Sequence, residues 1–279
     1  MKGRVKVIWR SLLLVLLTLV VVLIPVTVRA IVPASNEVIQ QFVDATQQLL
    51  DLIPIPSSGL QPEDHLPSDR PRLPQPVNVP QARNSPQFVP QQQVVQIDPS
   101  NYDPRETTDL YGNRINNEFI AVLHETVGSA TSAINTFRNN HTSEADQVSY
   151  HALVTREGTV VYLVPPEMRA FGAGNSVFVG RNGEETVRLH PVFPVSVNNF
   201  AYHASLESPP DGRGNGASHS GYTDAQYRSL AWLIAQSDIS RDRITTHRAV
   251  DRSGSRRDPR SFDMERFLAL VDQFRAEGG

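Results

Sequence analysis

The chain has 279 residues, 39% of them apolar, so one sizeable core can form with sequence to spare. A formal net charge of −3, from 26 basic and 29 acidic residues, excludes the strongly basic face of a nucleic-acid binder. The chain has no cysteine, which excludes disulfides, thiolate metal sites and a cysteine nucleophile and is compatible with export.

Lys2, Arg4, Lys6 and Arg10 precede an uncharged run, rich in Leu and Val, from Ser11 to Val28. A basic segment followed by such a run is an export signal, and at about 18 residues the run approaches the length that spans a bilayer. Val28-Arg29-Ala30 is a mediocre cleavage site because Val is larger than the usual Ala. Residues 1–30 are therefore expected to be a signal peptide or an uncleaved membrane anchor. Either places the rest of the chain outside the cytoplasm, in the periplasm or cell envelope. Residues 31–100 are expected to be a linker. Asn36 to Leu52 has a weak amphipathic helix pattern in Val38, Phe42, Val43, Leu49 and Leu50, and Pro54 to Pro99 repeats Pro and Gln without periodicity. The latter composition predicts a disordered or extended spacer.

From about Asn101 to the end the texture is globular. Phe119 to Leu123 reads as a buried strand, and Ser129 to Asn139 as a helix with Ala130, Ala133, Ile134 and Phe137 on one face. Tyr150 to Val154 and Thr159 to Val164 read as strands joined through Glu157-Gly158. Phe200 to Glu207 alternates, with Phe200, Tyr202, Ala204 and Leu206 on one face and His203, Ser205 and Glu207 on the other. Thr223 and Gln226 form a capping box for a helix to Ser237, and Ser261 is expected to open a last helix with Phe267, Leu270, Val271 and Phe274 inward. Strands and helices intermix, which predicts an α/β fold with a mixed central sheet flanked by helices.

A zinc hydrolase needs three protein ligands and one open position for water. Without cysteine, those ligands come from His, Asp and Glu, and the domain offers His124, His141, His151, His190, His203, His219 and His247. His124 directly follows a predicted strand, and His247 follows the short Ile244-Thr245-Thr246 stretch in the same way. Asp258 comes eleven residues after His247, beyond Gly254. On spacing alone this pattern is weak, because a lone His is more often a surface or core residue and Asp-Pro is often a simple turn.

Five segments in order give more. Val122-Leu123-His124-Glu125, Val148 to Val154, Tyr222 to Tyr227, Thr246-His247 and Asp258-Pro259 resemble the type 2 N-acetylmuramoyl-L-alanine amidases. That family includes AmpD-type enzymes and is related to the peptidoglycan recognition proteins. The likeness runs from about Asn117 to Phe274. It implies hydrolysis of the amide between N-acetylmuramic acid and L-alanine in peptidoglycan, with Zn2+ held by His124, His247 and Asp258. The zinc would polarise the scissile carbonyl and activate a water.

The family's catalytic Glu lies on the strand that Phe200–Glu207 occupies here. A gapless alignment sets Ser205 opposite that Glu and Glu207 two residues beyond it. A shift of two keeps the same face of a strand, so Glu207 is the expected acid/base. Arg256 holds the place of a family Lys two residues before the Asp ligand and is expected to stabilise the oxyanion, although its planar fork is not equivalent to an ammonium. His151 matches a family position near the site that is not a ligand. Arg169 to Gly174 resembles a family loop with an aromatic residue and a His at the places of Phe171 and Gly172, so that His is missing here. His141, His190, His203 and His219 are expected to be plain loop or surface residues. The Gly- and Ser-rich loop Pro209 to Gly221 is expected to be mobile. The expected partners are peptidoglycan or muropeptides, with no nucleic acid, membrane engagement by the N-terminal segment, and a monomeric state. The rival reading is a non-catalytic muropeptide-binding module of the same fold, whose members typically lack a zinc ligand.

Overall fold

The structure, a computed structural model, describes residues 71–77, 88–214 and 216–278. The expected signal or anchor and the weak helix within Asn36–Leu52 lie outside the described residues. Among the described residues no helix is long and apolar enough to cross a membrane.

In chain order the strands and helices are β1 (Gln92–Val94), β2 (Tyr102–Pro104), β3 (Ile120–Glu125), α1 (Ala130–Arg138), β4 (Ala152–Val154), β5 (Val160–Tyr162) and β6 (Met168–Ala170). They continue with β7 (Phe178–Gly180), β8 (Gly183–Glu185), β9 (Ala201–Leu206), α2 (Asp224–Ala235), β10 (Ile244–Thr246), α3 (His247–Val250) and α4 (Met264–Gly278). Six strands form one sheet in the order β1-β5-β4-β9-β3-β10. The β4–β5 pair is antiparallel and the other four pairs are parallel, so the sheet is mixed, as expected.

The central strands are buried on both faces, which is why Ile120 to Leu123 reads as a continuous apolar run. On one face Ala121, Leu123, Ala204 and Leu206 pack under α2 and α4 through Leu230, Leu233, Phe267 and Val271. On the other, Leu153 and Val161 meet Ala130 and Phe137 of α1, and Ile120, Val122 and Ala201 meet Phe178, Val197 and Val250. The Thr223–Gln226 capping box forms as the sequence predicts. The β4–β5 hairpin turns at Gly158, whose φ of +87° favours glycine; a Cβ there would also come within 3.0 Å of the Ala225 carbonyl of α2.

Two features differ from the sequence pattern. Described residues ahead of Asn101 already join the globular unit. Leu73, Val77 and Phe88 pack against the core, β1 pairs with β5, and Arg72 binds Asp238 through backbone and side chain. Scattered anchors of this kind carry no periodicity, so Pro/Gln composition hid them. The last helix starts at Met264, not Ser261: Ser261 sits at φ +50°, and the Asp263 carboxylate accepts the Arg266 N–H to cap the helix.

Candidate metal centre

His124, His247 and Asp258 come from three separate elements and bring their ligand atoms within 4.8 Å of one another. His124 sits inside β3 and is wholly buried. His247 opens α3, where the Thr246 hydroxyl accepts the Ala249 N–H and caps the turn. Asp258 lies in the following loop, fixed when its carbonyl accepts the Arg248 N–H at 2.9 Å. Asp258 Oδ2 is 3.2 Å from His124 Nδ1 and 3.0 Å from His247 Nδ1. Donors bound to one tetrahedral ion would be about 3.3 Å apart, so the trio fits a small divalent cation with one position left open.

The electrostatics suit that role. Burial pushes the His124 imidazole down to about 4, which keeps it neutral and its lone pair available near neutral pH. Burial opposes ionisation of Asp258, yet hydrogen bonds from His124 and His247 hold its carboxyl well below the usual range, so it is an anion. Two imidazoles and one carboxylate form an N/O donor set proper to zinc.

Residues 118–261, more than half of the chain, match the family model described as N-acetylmuramoyl-L-alanine amidase. The chain belongs to this family. It is 33% identical over 129 residues to the 1,6-anhydro-N-acetylmuramyl-L-alanine amidase AmpD of Salmonella typhimurium, covering 45% of this chain and 58% of that protein. The AmpD of Haemophilus influenzae is 34% identical over 132 residues, with 45% and 59% covered. The chain therefore spans less than two thirds of the curated relatives it matches. The solution structure of Citrobacter freundii AmpD covers 66% of this chain and 91% of that one, at 26% identity and a TM-score of 0.41.

A cavity of about 330 Å³ opens beside the amidase-family triad, walled by Phe171, Gly172, His247 and Arg256, with Glu144 and Phe193 farther along. Arg256 is exposed, at the place where the resemblance expected a cation. Tyr150, unremarked within its sequence motif, stacks on His124 with ring centroids 4.7 Å apart. Burial first, and then the Asp258 charge, hold its hydroxyl protonated well above the usual range.

Glu207, the expected acid/base, is held by two backbone donors. Its oxygens accept the N–H of Ala130 at 3.0 Å and that of Arg156 at 3.0 Å, which ties α1 and the β4–β5 turn to the end of β9. β9 ends at Leu206, so the alternation that would have turned Glu207 to the His124 face no longer governs it. In the register Ser205 lies opposite His124, and its hydroxyl is buried without a hydrogen-bond partner among the described residues.

Two histidines expected to be plain are not. His203 is wholly buried, with Nδ1 2.9 Å from His124 Nε2. His219 is turned inward, its Nε2 3.0 Å from Glu125 Oε2. Glu125, the neighbour of His124, also takes hydrogen bonds from Ser208 and Tyr222 and pairs with Arg260 at 2.6 Å. Arg260 then donates to the carbonyls of Gly212, Gly214 and Gly216, so the Pro209–Gly221 loop is tied down where composition predicted mobility. A polar residue inside a strand buried on both faces was the available signal for Glu125 and His203; His219 gave none. His151 donates from Nε2 to the Met168 carbonyl and accepts the His203 N–H at Nδ1, a structural role beside the site.

Proposed function

We propose that the chain is a zinc-dependent hydrolase of the amide bond between N-acetylmuramic acid and L-alanine, acting on peptidoglycan or muropeptides. The observation that carries this reading is the convergence of His124, His247 and Asp258 at the edge of an open cleft, with no ligand missing from the set. A full set argues against the binding-only alternative. Zinc held there would supply Lewis acidity, polarising a carbonyl and acidifying a water.

The remaining chemistry belongs to the chain's own side chains. Asp258 neutralises part of the dication's charge and orients both imidazoles. The Tyr150 hydroxyl keeps its proton and can donate it as a hydrogen bond to the carbonyl oxygen as charge develops there. Arg256, on the cleft wall, sets a permanent positive charge beside the same oxygen. Phe171 and Phe193 offer apolar surface to the rest of the substrate. The basic and apolar N-terminal run supports export to the compartment where polymeric peptidoglycan lies, by a cleaved signal or a retained anchor.

The test is a digest of purified peptidoglycan by the purified protein. New N-terminal L-alanine should appear, disappear with a chelator, and return with zinc. Full activity in the metal-free protein overturns the mechanism; muropeptide binding without release favours the binding module.

A further inference from the structure

His203 needs an explanation that packing does not provide. Its ring lies wholly inside the protein, and its Nε2 is buried with no hydrogen-bond partner among the described residues. An unsatisfied buried nitrogen is destabilising, so an apolar side chain would fill this space at less cost. Room for the ring is made by the facing loop: a Cβ on Gly172 would come within 2.5 Å of His203 Cγ and Nδ1. The ring also stacks on His151, with centroids 5.9 Å apart and planes at 14°. Among the described residues the His203 side chain makes one side-chain to side-chain hydrogen bond, between its Nδ1 and His124 Nε2 at 2.9 Å.

We propose that His203 is a positioning residue for the metal centre, whose bare Nδ1 accepts the Nε2–H of His124 and so fixes that ligand's tautomer and ring plane. His124 can offer Nδ1 to a metal only if its proton sits on Nε2, and a buried Nε2–H needs an acceptor. That acceptor is commonly a carboxylate or a backbone carbonyl; here it is a second imidazole. The choice has an electronic consequence, because a neutral acceptor draws less on the Nε2–H than a carboxylate does. His124 therefore passes less negative charge to the metal, which keeps more of its Lewis acidity. It also dictates tautomers. With Asp258 3.2 Å from Nδ1 and no metal present, His124 carries its proton on Nδ1 and His203 donates from its own Nδ1. With metal bound each ring still carries one proton, now on Nε2, and neither changes charge; the His203 Nε2–H, buried without a partner among the described residues, is the cost of that arrangement.

The inference rests on the zinc reading, and its test uses zinc binding rather than peptide release. Zinc affinity of the full chain would be measured by competition with a chromophoric chelator for the wild type, His203→Phe and His203→Gln. Phe fills the space without an acceptor and should weaken zinc binding about 10–100-fold; Gln restores an acceptor oxygen and should recover most of that loss. Unchanged affinity in His203→Phe overturns the proposal alone, whereas no zinc uptake by the wild type overturns it together with the zinc reading. Because His203→Phe could misfold, the imidazole 15N shifts of the wild type give a second measurement. A bare Nδ1 on His203 in the zinc-loaded protein supports the assignment, and a protonated Nδ1 there refutes it.

Discussion

Neighbouring residues of β3 build two buried polar clusters of opposite character. Glu125 points to the α2/α4 side, where Arg260, His219, Ser208 and Tyr222 surround its carboxylate and saturate it. His124 points to the other side, where two imidazoles share one carboxylate oxygen and Ser205 and His203 keep unsatisfied atoms. The first cluster closes on itself and also fastens the chain after Asp258 through the Arg260 N–H. The second is left open towards the cleft. One strand thus carries a finished scaffold and an unfinished site a single residue apart, and the lack of satisfaction marks which one reacts.

The contrast breaks most visibly at Asp258. Asp258→Ala should lower peptidoglycan turnover by about 1,000-fold or more, since the metal's contribution of several kcal/mol goes with it. The urea midpoint of the metal-free protein should fall by less than at the saturated cluster, about 1–3 kcal/mol, as His124 and His247 lose their shared acceptor. Turnover within tenfold of wild type would remove Asp258 from the chemistry. Arg260→Leu should do the reverse at the saturated cluster. Leaving Glu125 buried without its partner is expected to cost about 3–5 kcal/mol in urea unfolding of the metal-free chain. A loss below about 1 kcal/mol, typical of an exposed pair, would show that the cluster is not the clamp described here.

How much of this was legible beforehand depended on whether the signal was local. Strands β3, β4, β5 and β9, the α2 capping box and the inward face of α1 follow from periodicity and short-range hydrogen bonding, and they appear where the sequence puts them. The triad was legible only through ordered motifs, since nothing in the spacing of His124, His247 and Asp258 says that they meet. The face argument for Glu207 runs one residue past the end of β9, where its carboxylate accepts two backbone N–H groups. In the sequence His203 and Gly172 are unrelated departures, a plain histidine and a missing one. In the fold the glycine makes room for the histidine, a long-range complementarity that neither local pattern contains.

Acid separates the clusters by pH. His151 and His203 have pKa values pushed well below 6.5, chiefly by burial, so the folded chain refuses protons that the unfolded chain takes up. Stability should therefore decline as pH falls below about 6.5. Burial opposes the Glu125 charge, but its bonds to Arg260 still lower its pKa below 4.5, so its contribution is present above 4.5 and lost only as pH falls further. Urea midpoints of the metal-free protein at a series of pH values should show both declines, and Glu125→Gln should shrink the lower one, which Asp258 and Glu185 also feed, while sparing the upper. A single decline confined below 4.5 would mean that the imidazoles are not held neutral.

The smallest effect is the most discriminating. Glu207→Gln keeps one acceptor oxygen and replaces the other with an amide NH2 that cannot accept. One of the two backbone bonds, to Ala130 or to Arg156, must then go, at about 0.5–1.5 kcal/mol. The charge that favours the start of α1 goes as well, at about 0.3–1 kcal/mol. Turnover depends on neither, so it should stay within about threefold of wild type while the urea midpoint drops slightly. A general acid/base would show the opposite pattern, a loss of about 100- to 10,000-fold in turnover with little change in stability. That outcome would return Glu207 to the open cluster and require its carboxylate to leave both backbone partners when substrate binds.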